Sequence, residues 1–325
     1  MATLKDVARE AGLTVGTVSR VLNNRGYISN NARRKVDEAM KKLNYRPNEM
    51  ARSLHSKSTN TIGLIVPHIR HPYFAEMISN LENEAYKNGY KILLCNSQSI
   101  REKEREYIDI CTSNRVAGLI LCSGTVDTKV FDEIDIPVIT VERFLDNGTA
   151  CVECDNRQGG ALAAERLISC GCKNLVHIGN IGTIPMPADM RTEGFREVCA
   201  SRNISFVEVS TQEAQYNSMK YDEMIESVLR EYPETDGMFL NSDVLAAQAL
   251  QVCRKLHISV PDQMKIVGFD DVNIASLTTP QLTTIHQPVK EMAEIAVNLL
   301  HDSVSGKLVA KRTMLPVYLV ERETT

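Results

Sequence analysis

Apolar residues in the first 45 positions recur at the spacing of short helices. The first stripe is formed by Leu4, Val7, Ala8 and Ala11. Thr3 is a favoured N-cap with Asp6 at the capping-box position, and Gly12 follows where a turn needs a positive φ. These positions predict a helix that ends in a tight turn.

A second stripe predicts a second helix, capped by Thr14, whose inward face is formed by Val15, Val18, Val21 and Leu22. Small Ala8 lets the two helices approach, Gly12 makes the turn and Val18 fills the gap, which is the spacing of a helix-turn-helix. A third, basic helix is expected at 29–43, with Ser29 as its N-cap. The alternative is an ordinary helical hairpin.

From Thr61 the pattern changes to short, branched apolar runs that alternate with amphipathic stretches. The first series of runs covers 62–66, 91–95, 119–122 and 138–141, with helices near 73–88 and 101–113. The second series covers 175–178, 206–209, 238–240 and 266–269, with helices near 157–169, 189–202, 218–231 and 243–257, and a last strand is expected at 314–320. This alternation predicts an α/β body of two lobes, each on a parallel sheet, with a ligand cleft at the carboxyl ends of the strands.

Charge separates these two parts of the chain. Residues 1–60 hold 12 Lys and Arg against 5 Asp and Glu, a net charge of +7, whereas the whole 325-residue chain carries −4, which leaves −11 for the remainder. A basic head on an acidic body predicts that one part grips a polyanion and the other senses a signal.

Composition bounds the class of protein. A hydrophobic content of 43% and a charged content of 24% are ordinary for a globular chain of two or three domains. No stretch approaches the roughly 20 apolar residues of a membrane span, and the polar N-terminus lacks the apolar core of a signal peptide. We therefore expect a cytoplasmic protein without membrane contact.

Reactive residue types form no competing site in the sequence. Cys151, Cys154, Cys170 and Cys172 could supply four thiolates to zinc, but the first two would point to opposite faces of a strand. The stretch 179–182 is only a fragment of a dinucleotide loop, and the 7 histidines are dispersed. The sequence predicts no metal, no cofactor and no enzyme activity.

The outward face of the second helix carries the candidate DNA contacts, which are Gly16, Thr17, Ser19, Arg20, Asn23 and Asn24. Arg20 could read a guanine edge by a bidentate hydrogen bond, worth about 1–3 kcal/mol of discrimination. Thr17, Ser19 and Asn23 suit phosphate or mixed contacts, and Gly16 permits close approach.

Residues 3–24 resemble the DNA-binding head of the lactose/galactose repressor family. Residues 45–54 are similar to that family's hinge, in which Asn48 caps a short helix and Ala51 and Leu54 share one face. In the family, two hinges pair in the minor groove and a leucine, here Leu54, wedges between base steps; packing of Leu54 on the body is the alternative. The resemblance implies DNA contacts from Thr3, Thr14, Val15, Gly16, Thr17, Ser19, Arg20, Asn23, Asn48, Ala51, Arg52 and Leu54.

The resemblance continues through the body. Its motifs are IGLIVP at 62–67, PYF at 72–74, RTEGF at 191–195, SD at 242–243, VGFDD at 267–271 and PQLTTIHQP at 280–288. It implies a helix-turn-helix domain at 1–46, a hinge helix and linker at 47–60, and a body at 61–325 similar to periplasmic sugar-binding proteins. Lobe 1 is expected at about 61–160 and 290–320, and lobe 2 at about 161–289 and 321–325.

Candidate effector contacts lie mostly after the predicted strands. A sugar presents hydroxyl groups and an apolar ring face, so it needs oxygen acceptors, an arginine donor and an aromatic surface, and family members use these positions for small effectors. The candidates are Tyr73, Phe74, Asp155, Arg191, Ser242, Asp243 and Asp270, led by Arg191 and Asp270. The aspartates could instead be helix or turn caps and Tyr73 could be core. His71 is expected to be a solvated loop histidine, and a contact at the rim of the site is the alternative.

Together these features predict a sequence-specific transcriptional regulator, a repressor of a carbohydrate operon that a sugar releases from its operator. Two heads of a homodimer would bind a palindromic operator, and the effector would change the lobe angle and melt the paired hinges, a coupling of typically ~1–3 kcal/mol. A dimer is expected because no heptad extension follows 314–320. The alternatives are a corepressor-dependent regulator, with a purine or a phosphocarrier protein as partner, and a sugar carrier.

Overall fold

The structure, a computed structural model, describes residues 2–22, 26–45, 59–126, 128–143, 145, 147–179 and 186–325. The chain divides into two compact units, Met1–Thr59 and Asn60–Thr325. Among the residues described, no helix has the length and apolar character needed to cross a bilayer.

Within residues 2–22 and 26–45, the first unit forms a bundle of three helices, α1 Leu4–Ala11, α2 Val15–Leu22 and α3 Asn30–Lys42. Their inward faces meet in one core, formed by Val7, Ala8, Ala11, Val18, Val21, Val36 and Ala39. The inward position predicted for Val15 is wrong, because this residue is 41% exposed at the start of α2, while Val18 and Val21 fill the contact.

Local sequence explains where these helices begin and end. The Thr3 hydroxyl accepts from the Asp6 amide at 3.3 Å, and the Asp6 carboxylate accepts from the Thr3 amide at 2.9 Å. Gly12 ends α1 in the left-handed conformation, with a φ of 65°. Ser29 caps α3 by accepting from the Ala32 amide at 3.2 Å. The predicted caps at Thr3, Gly12 and Ser29 are therefore confirmed.

The described residues of the second unit form two sheets of six strands each. Its strands are β1 Thr61–Val66, β2 Lys91–Asn96, β3 Gly118–Leu121, β4 Val138–Val141, β5 Ala150–Cys154, β6 Leu175–Gly179, β7 Phe206–Ser210, β8 Gly237–Leu240, β9 Lys265–Asp270, β10 Thr283–His286, β11 Arg312–Leu315 and β12 Tyr318–Val320. Strands β3, β4 and β8 are buried along their whole length, which is typical of parallel sheets covered by helices on both faces.

Helices connect these strands. They are α4 Pro72–Lys87, α5 Arg101–Ser113, α6 Asn156–Ser169, α7 Met190–Ser201, α8 Glu213–Ser218, α9 Asp222–Glu231, α10 Asp243–Lys255, α11 Asn273–Leu277 and α12 Val289–Val304, with short 3-10 turns at Thr128–Phe131 and Pro187–Asp189. The helix predicted near 218–231 is α9, which begins at Asp222. The preceding helix α8 was not predicted, and Met219, with a left-handed φ of 54°, ends it.

The two sheets have the same strand arrangement. The first has the order β11-β5-β4-β3-β1-β2 and the second β12-β10-β9-β8-β6-β7. The recorded pairs are parallel, except that β12 runs antiparallel to β10. We call the first sheet with α4, α5 and α12 lobe 1, and the second sheet with α6 to α11 lobe 2. Strand β4 of lobe 1 and β9 of lobe 2 therefore occupy equivalent places.

The chain crosses between the lobes near 155, 287 and 316. The stretch 314–320, predicted as one strand, is divided between β11 in lobe 1 and β12 in lobe 2. Pro316 separates the two strands, and proline lacks the amide hydrogen that a continuous ladder requires. Residues 318–320 thus belong to lobe 2, and not to lobe 1 as the sequence suggested.

Candidate functional site

The exposed side of α2 is the candidate DNA surface of the head. Gly16 and Arg20 are exposed there, and Thr17 and Ser19 are half-buried beside them. The Thr14 hydroxyl accepts from the Thr17 amide at 3.1 Å and so caps the helix. Asn23 and Asn24, together with the hinge candidates Asn48, Ala51, Arg52 and Leu54, lie outside the described residues.

In the body, the equivalent strands β4 and β9 both lead into a carboxylate, half-buried for Glu142 and buried for Asp270. Glu142 directly follows β4, and Asp270 ends β9; their φ angles are 55° and 111°. Positive φ values are uncommon outside glycine and concentrate at ligand sites. Burial raises the pKa of Asp270 from its ordinary value of 3.8 to about 7, and burial also raises the pKa of Glu142.

Arg191 is the buried cation beside these carboxylates. It lies in the first turn of α7 and is 6% exposed. Its Nη1 donates to the Asn241 carbonyl oxygen at 2.9 Å, and its Nε donates to Asn156 Oδ1 at 2.8 Å. The guanidinium carbon lies 3.5 Å from the centre of the Phe269 ring. Its positive charge opposes the effect of burial on the pKa of Asp270.

A glycine of α6 makes the position of Arg191 possible. A Cβ atom at Gly160 would lie 1.8 Å from the Arg191 carbonyl oxygen. Since no larger residue fits, α6 and α7 approach closely only with glycine at this position, and the backbone of Arg191 is fixed against α6.

Two amide side chains next to this cluster have oxygens without a hydrogen-bond partner in the described part of the chain. Gln287 Nε2 donates to Asp270 Oδ1 at 2.7 Å, while Gln287 Oε1 is buried without a hydrogen-bond partner. Asn241 Oδ1 is likewise buried and unpaired. A buried unpaired polar atom costs about 1–3 kcal/mol, so these oxygens are well placed to accept from hydroxyl groups of a ligand.

Lobe 1 contributes aromatic rings to the same cleft. Tyr73 packs in the core, but its hydroxyl has no partner among the residues that the structure describes. Burial, together with the charges of Glu142 and Asp270, raises its pKa. The half-buried Phe74 ring lies edge-on to Tyr73, with the ring centres 5.1 Å apart.

His71 is not the solvated loop histidine that the sequence predicted. It is 5% exposed, because its ring packs against Phe74 and Tyr216. Burial lowers the pKa of His71 to about 4, so the ring is neutral at pH 7. Its Nδ1 is another buried atom without a hydrogen-bond partner.

Helix α8 of lobe 2 reaches lobe 1 at the mouth of the cleft. His68 Nε2 and Asn217 Oδ1 are 2.9 Å apart, and the Tyr216 ring lies edge-on to His68 with 5.1 Å between centres. A cavity of about 270 Å³ beside this contact is lined by His68, Ile69, Arg70, Asn96, Gln98, Ile100 and Asn217. Neither Arg191 nor Asp270 lines it, so the polar cluster and this cavity are separate features.

Three sequence candidates have local structural contacts. Asp155 caps α6 by accepting from the Gln158 amide at 2.9 Å, and Ser242 caps α10 by accepting from the Leu245 amide at 3.3 Å. Asp243 is fully buried and accepts from the Thr284 hydroxyl at 2.6 Å and the Val272 amide at 2.9 Å. Effector contacts from these three residues stay a prediction.

Glu142, Asn241, Gln287 and Tyr216 were missed by the sequence reasoning. The first three directly follow β4, β8 and β10. The rule that selected Asp270, a polar residue at the carboxyl end of a strand, could have found them. Tyr216 lies within α8, where no local signal marks it. Among the residues described, no group of three or more His, Cys, Asp or Glu side chains is placed to hold a metal ion.

Known proteins resemble this chain along its whole length. A family model described as bacterial regulatory proteins, lacI family, matches residues 3–48, and one for a periplasmic binding protein-like domain matches residues 164–325. The ribose operon repressor of Halalkalibacterium halodurans is 36% identical over 100% of this chain and 97% of its own length. The sucrose operon repressor of Streptococcus mutans is also 36% identical, over 100% of this chain and 99% of its own.

A solved structure resembles the body. It is the periplasmic binding protein/LacI transcriptional regulator from Alkaliphilus metalliredigens, complexed with D-xylulofuranose. Its identity to this chain is 31% and its TM-score 0.74, and the match covers 82% of this chain and 99% of that one.

Proposed function

This chain belongs to the lacI family of bacterial regulatory proteins and is a DNA-binding transcriptional repressor, and we propose that its signal is a small sugar bound between lobes 1 and 2. A set of buried polar groups carries the proposal: the Arg191 guanidinium at the start of α7 and, at the strand ends, the Asp270 carboxylate and the unpaired oxygens of Asn241 and Gln287. Donors and acceptors in this number suit a ligand rich in hydroxyl groups. Phe74 and the hydroxyl of Tyr73 supply the facing wall.

The names of the relatives support a sugar, since two are repressors of ribose and sucrose operons. The test is thermal unfolding of the purified protein with D-ribose, D-xylulose, sucrose, adenine or guanine. We expect one sugar to raise Tm with concentration, since a ligand at 100 times its Kd adds about 2.7 kcal/mol to the free energy of unfolding. A rise with purines alone would favour the corepressor alternative, and no rise with any sugar would contradict the proposal.

On the output side, we propose that α2 lies in the DNA major groove, with Arg20 reading a base edge. An operator selected from a random palindromic library supplies the probe. Arg20→Ala should weaken binding to this operator more than binding to unrelated DNA, because a base contact is lost. Equal losses on both DNAs would reduce Arg20 to a phosphate contact.

We also propose a homodimer on a palindromic operator in the cytoplasm, with the hinge at 47–60 pairing in the minor groove. Leu94 and Ile100, at and just beyond the edge strand β2 of lobe 1, are exposed and support a subunit contact at this edge. Sedimentation should give twice the chain mass.

Removal of residues 1–60 should abolish operator binding and leave sugar binding intact. Leu54→Ala should weaken operator binding without changing the unfolding of the body. A monomer, or DNA binding that survives the deletion, would contradict this arrangement.

A further inference from the structure

Asn156 lies where the chain first crosses from lobe 1 to lobe 2. It is the first residue of α6 and is 3% exposed. Its Oδ1 accepts from Arg191 Nε at 2.8 Å. Its Nδ2 donates to Glu142 Oε2 at 2.8 Å and to the Cys154 carbonyl oxygen at 3.2 Å. One amide therefore connects the end of β4 in lobe 1 with the start of α7 in lobe 2.

The partners of this amide fix its orientation. Carboxylate and carbonyl oxygens only accept, so the NH2 group must face Glu142 and Cys154, while a guanidinium only donates, so the oxygen must face Arg191. The other Glu142 oxygen accepts from the Cys154 amide at 2.6 Å, which holds the carboxylate in place. A flipped amide would set N–H against N–H at Arg191 and oxygen against oxygen at Glu142.

We propose that Asn156 is a positioning residue for effector binding, which orients the Arg191 guanidinium and ties it to Glu142 across the lobe boundary. The proposal rests on the sugar-binding function proposed above. Without Asn156, the contacts described for the guanidinium reduce to the Asn241 carbonyl and the Phe269 ring. Both leave the guanidinium free to tilt, so its donors lose their fixed direction toward the cleft.

A double-mutant cycle tests this action through Arg191. Sugar affinity is measured by calorimetry for the wild type, Asn156→Ala, Arg191→Ala and the double variant, with whichever of D-ribose, D-xylulose and sucrose raises Tm. We expect Asn156→Ala to weaken binding about 10-fold in the wild-type background and less than about 2-fold in the Arg191→Ala background, because contacting residues are coupled. An equal loss in both backgrounds, or no loss in the single variant, would overturn the proposal.

A measurement without sugar separates this inference from the proposed function. The Arg191 Nε–H resonance, identified by its loss in Arg191→Lys, should exchange slowly with water in the free protein, because it is buried and bonded to Asn156. In Asn156→Ala the exchange should be at least about 10-fold faster. Unchanged exchange would exclude the positioning role even if a sugar binds. If no sugar of the panel binds, the proposed function fails, but the exchange rate still shows whether Asn156 orients the Arg191 guanidinium.

Arg157→Ala is the matched control, because Arg157 is the next residue and pairs with Glu197 on the exposed surface of α6 and α7. It should alter neither sugar affinity nor the Arg191 resonance. A loss as large as that of Asn156→Ala would attribute the effect to general loosening of the lobe crossing and overturn the specific role of Asn156.

Discussion

Lobes 1 and 2 share one strand order, yet they use the arginine near their strand ends in opposite ways. In lobe 1, Arg143 follows Glu142 and donates to Glu104 at 3.0 Å and to the carbonyl oxygens of Ser123 at 2.7 Å and Val126 at 2.6 Å. In lobe 2, Arg191 donates to the Asn241 carbonyl and to Asn156 Oδ1, and the oxygens of the Asn241 and Gln287 side chains have no partner among the described residues.

This difference separates a scaffold from a binding surface. The Glu104 carboxylate also accepts from the amide and the hydroxyl of Thr125, so the loop after β3 is tied down on several sides. The donors of Arg143 are thus used within lobe 1, whereas beside Arg191 the side-chain oxygens of Asn241 and Gln287 have no hydrogen-bond partner among the described residues. The shared strand order does not determine which lobe binds a ligand. The hydrogen-bond partners of the polar groups determine it.

The largest expected effect concerns the scaffold of lobe 1. Glu104→Ala removes the carboxylate that faces Arg143, and both side chains are almost fully buried, at 0% and 4% exposed. An uncompensated buried guanidinium should lower the free energy of unfolding by about 3–5 kcal/mol. Urea denaturation measures it, with Glu102→Ala on the exposed face of α5 as the control. A loss below about 1 kcal/mol would show that lobe 1 does not depend on this pair.

The next effect concerns the binding surface of lobe 2. Arg191→Ala should weaken sugar binding about 100-fold, because a charge-assisted donor is lost and Asp270 remains without its cation. Calorimetry measures the affinity, and a parallel denaturation curve separates affinity from stability. If this variant binds the sugar with wild-type affinity, the sugar does not bind at Arg191 of lobe 2.

A smaller effect should follow pH. Ionised Asp270 is a stronger acceptor for a sugar hydroxyl than the protonated acid, which accepts only through its carbonyl oxygen, and its pKa of about 7 means about 9% ionisation at pH 6 and about 91% at pH 8. Sugar affinity should therefore rise between these values, by up to about 10-fold, and level off above them. Asp270→Asn should flatten the profile, and an affinity that falls with rising pH would show that the protonated form binds.

The smallest effect is expected where neither lobe has buried polar groups at stake. Arg157 and Glu197 form an ion pair between exposed side chains. Arg157→Ala should change the free energy of unfolding by less than about 1 kcal/mol, since solvent and salt screen such pairs. Denaturation at low and high salt measures it. A larger loss of unfolding free energy would show that an exposed ion pair can stabilise the fold as much as the buried Glu104–Arg143 pair.

Much of the fold was predictable because its signals are local. Helix periodicity, the caps at Thr3 and Ser29, and alternating apolar runs each depend on residues a few positions apart. The errors arose where distant contacts decide. The stretch 314–320 has the pattern of one strand, but its two halves pair with β5 and with β10 in different sheets. Likewise, His71 has a loop sequence and is buried by the rings of Phe74 and Tyr216.

The candidate site was predictable only in part. Arg191 and Asp270 were found from the family motifs and the strand-end rule, and the structure brings them together. Asp155 and Ser242 satisfy the same rule, but their side chains accept from backbone amides of their own helices. The position of a residue in the sequence cannot distinguish a helix cap from a ligand contact, because both roles place a polar residue directly after a strand.

The sequence by itself determined the helix-turn-helix spacing, the two series of strands and the family, since all of these are written in local patterns and ordered motifs. The tertiary structure alone decided which polar groups remain available. Arg143 is paired because Glu104, 39 positions earlier, is folded against it, and Arg191 is oriented by Asn156 from 35 positions away. Hydrogen-bond capacity is used up by partners that are near in space, and the fold brings those partners together.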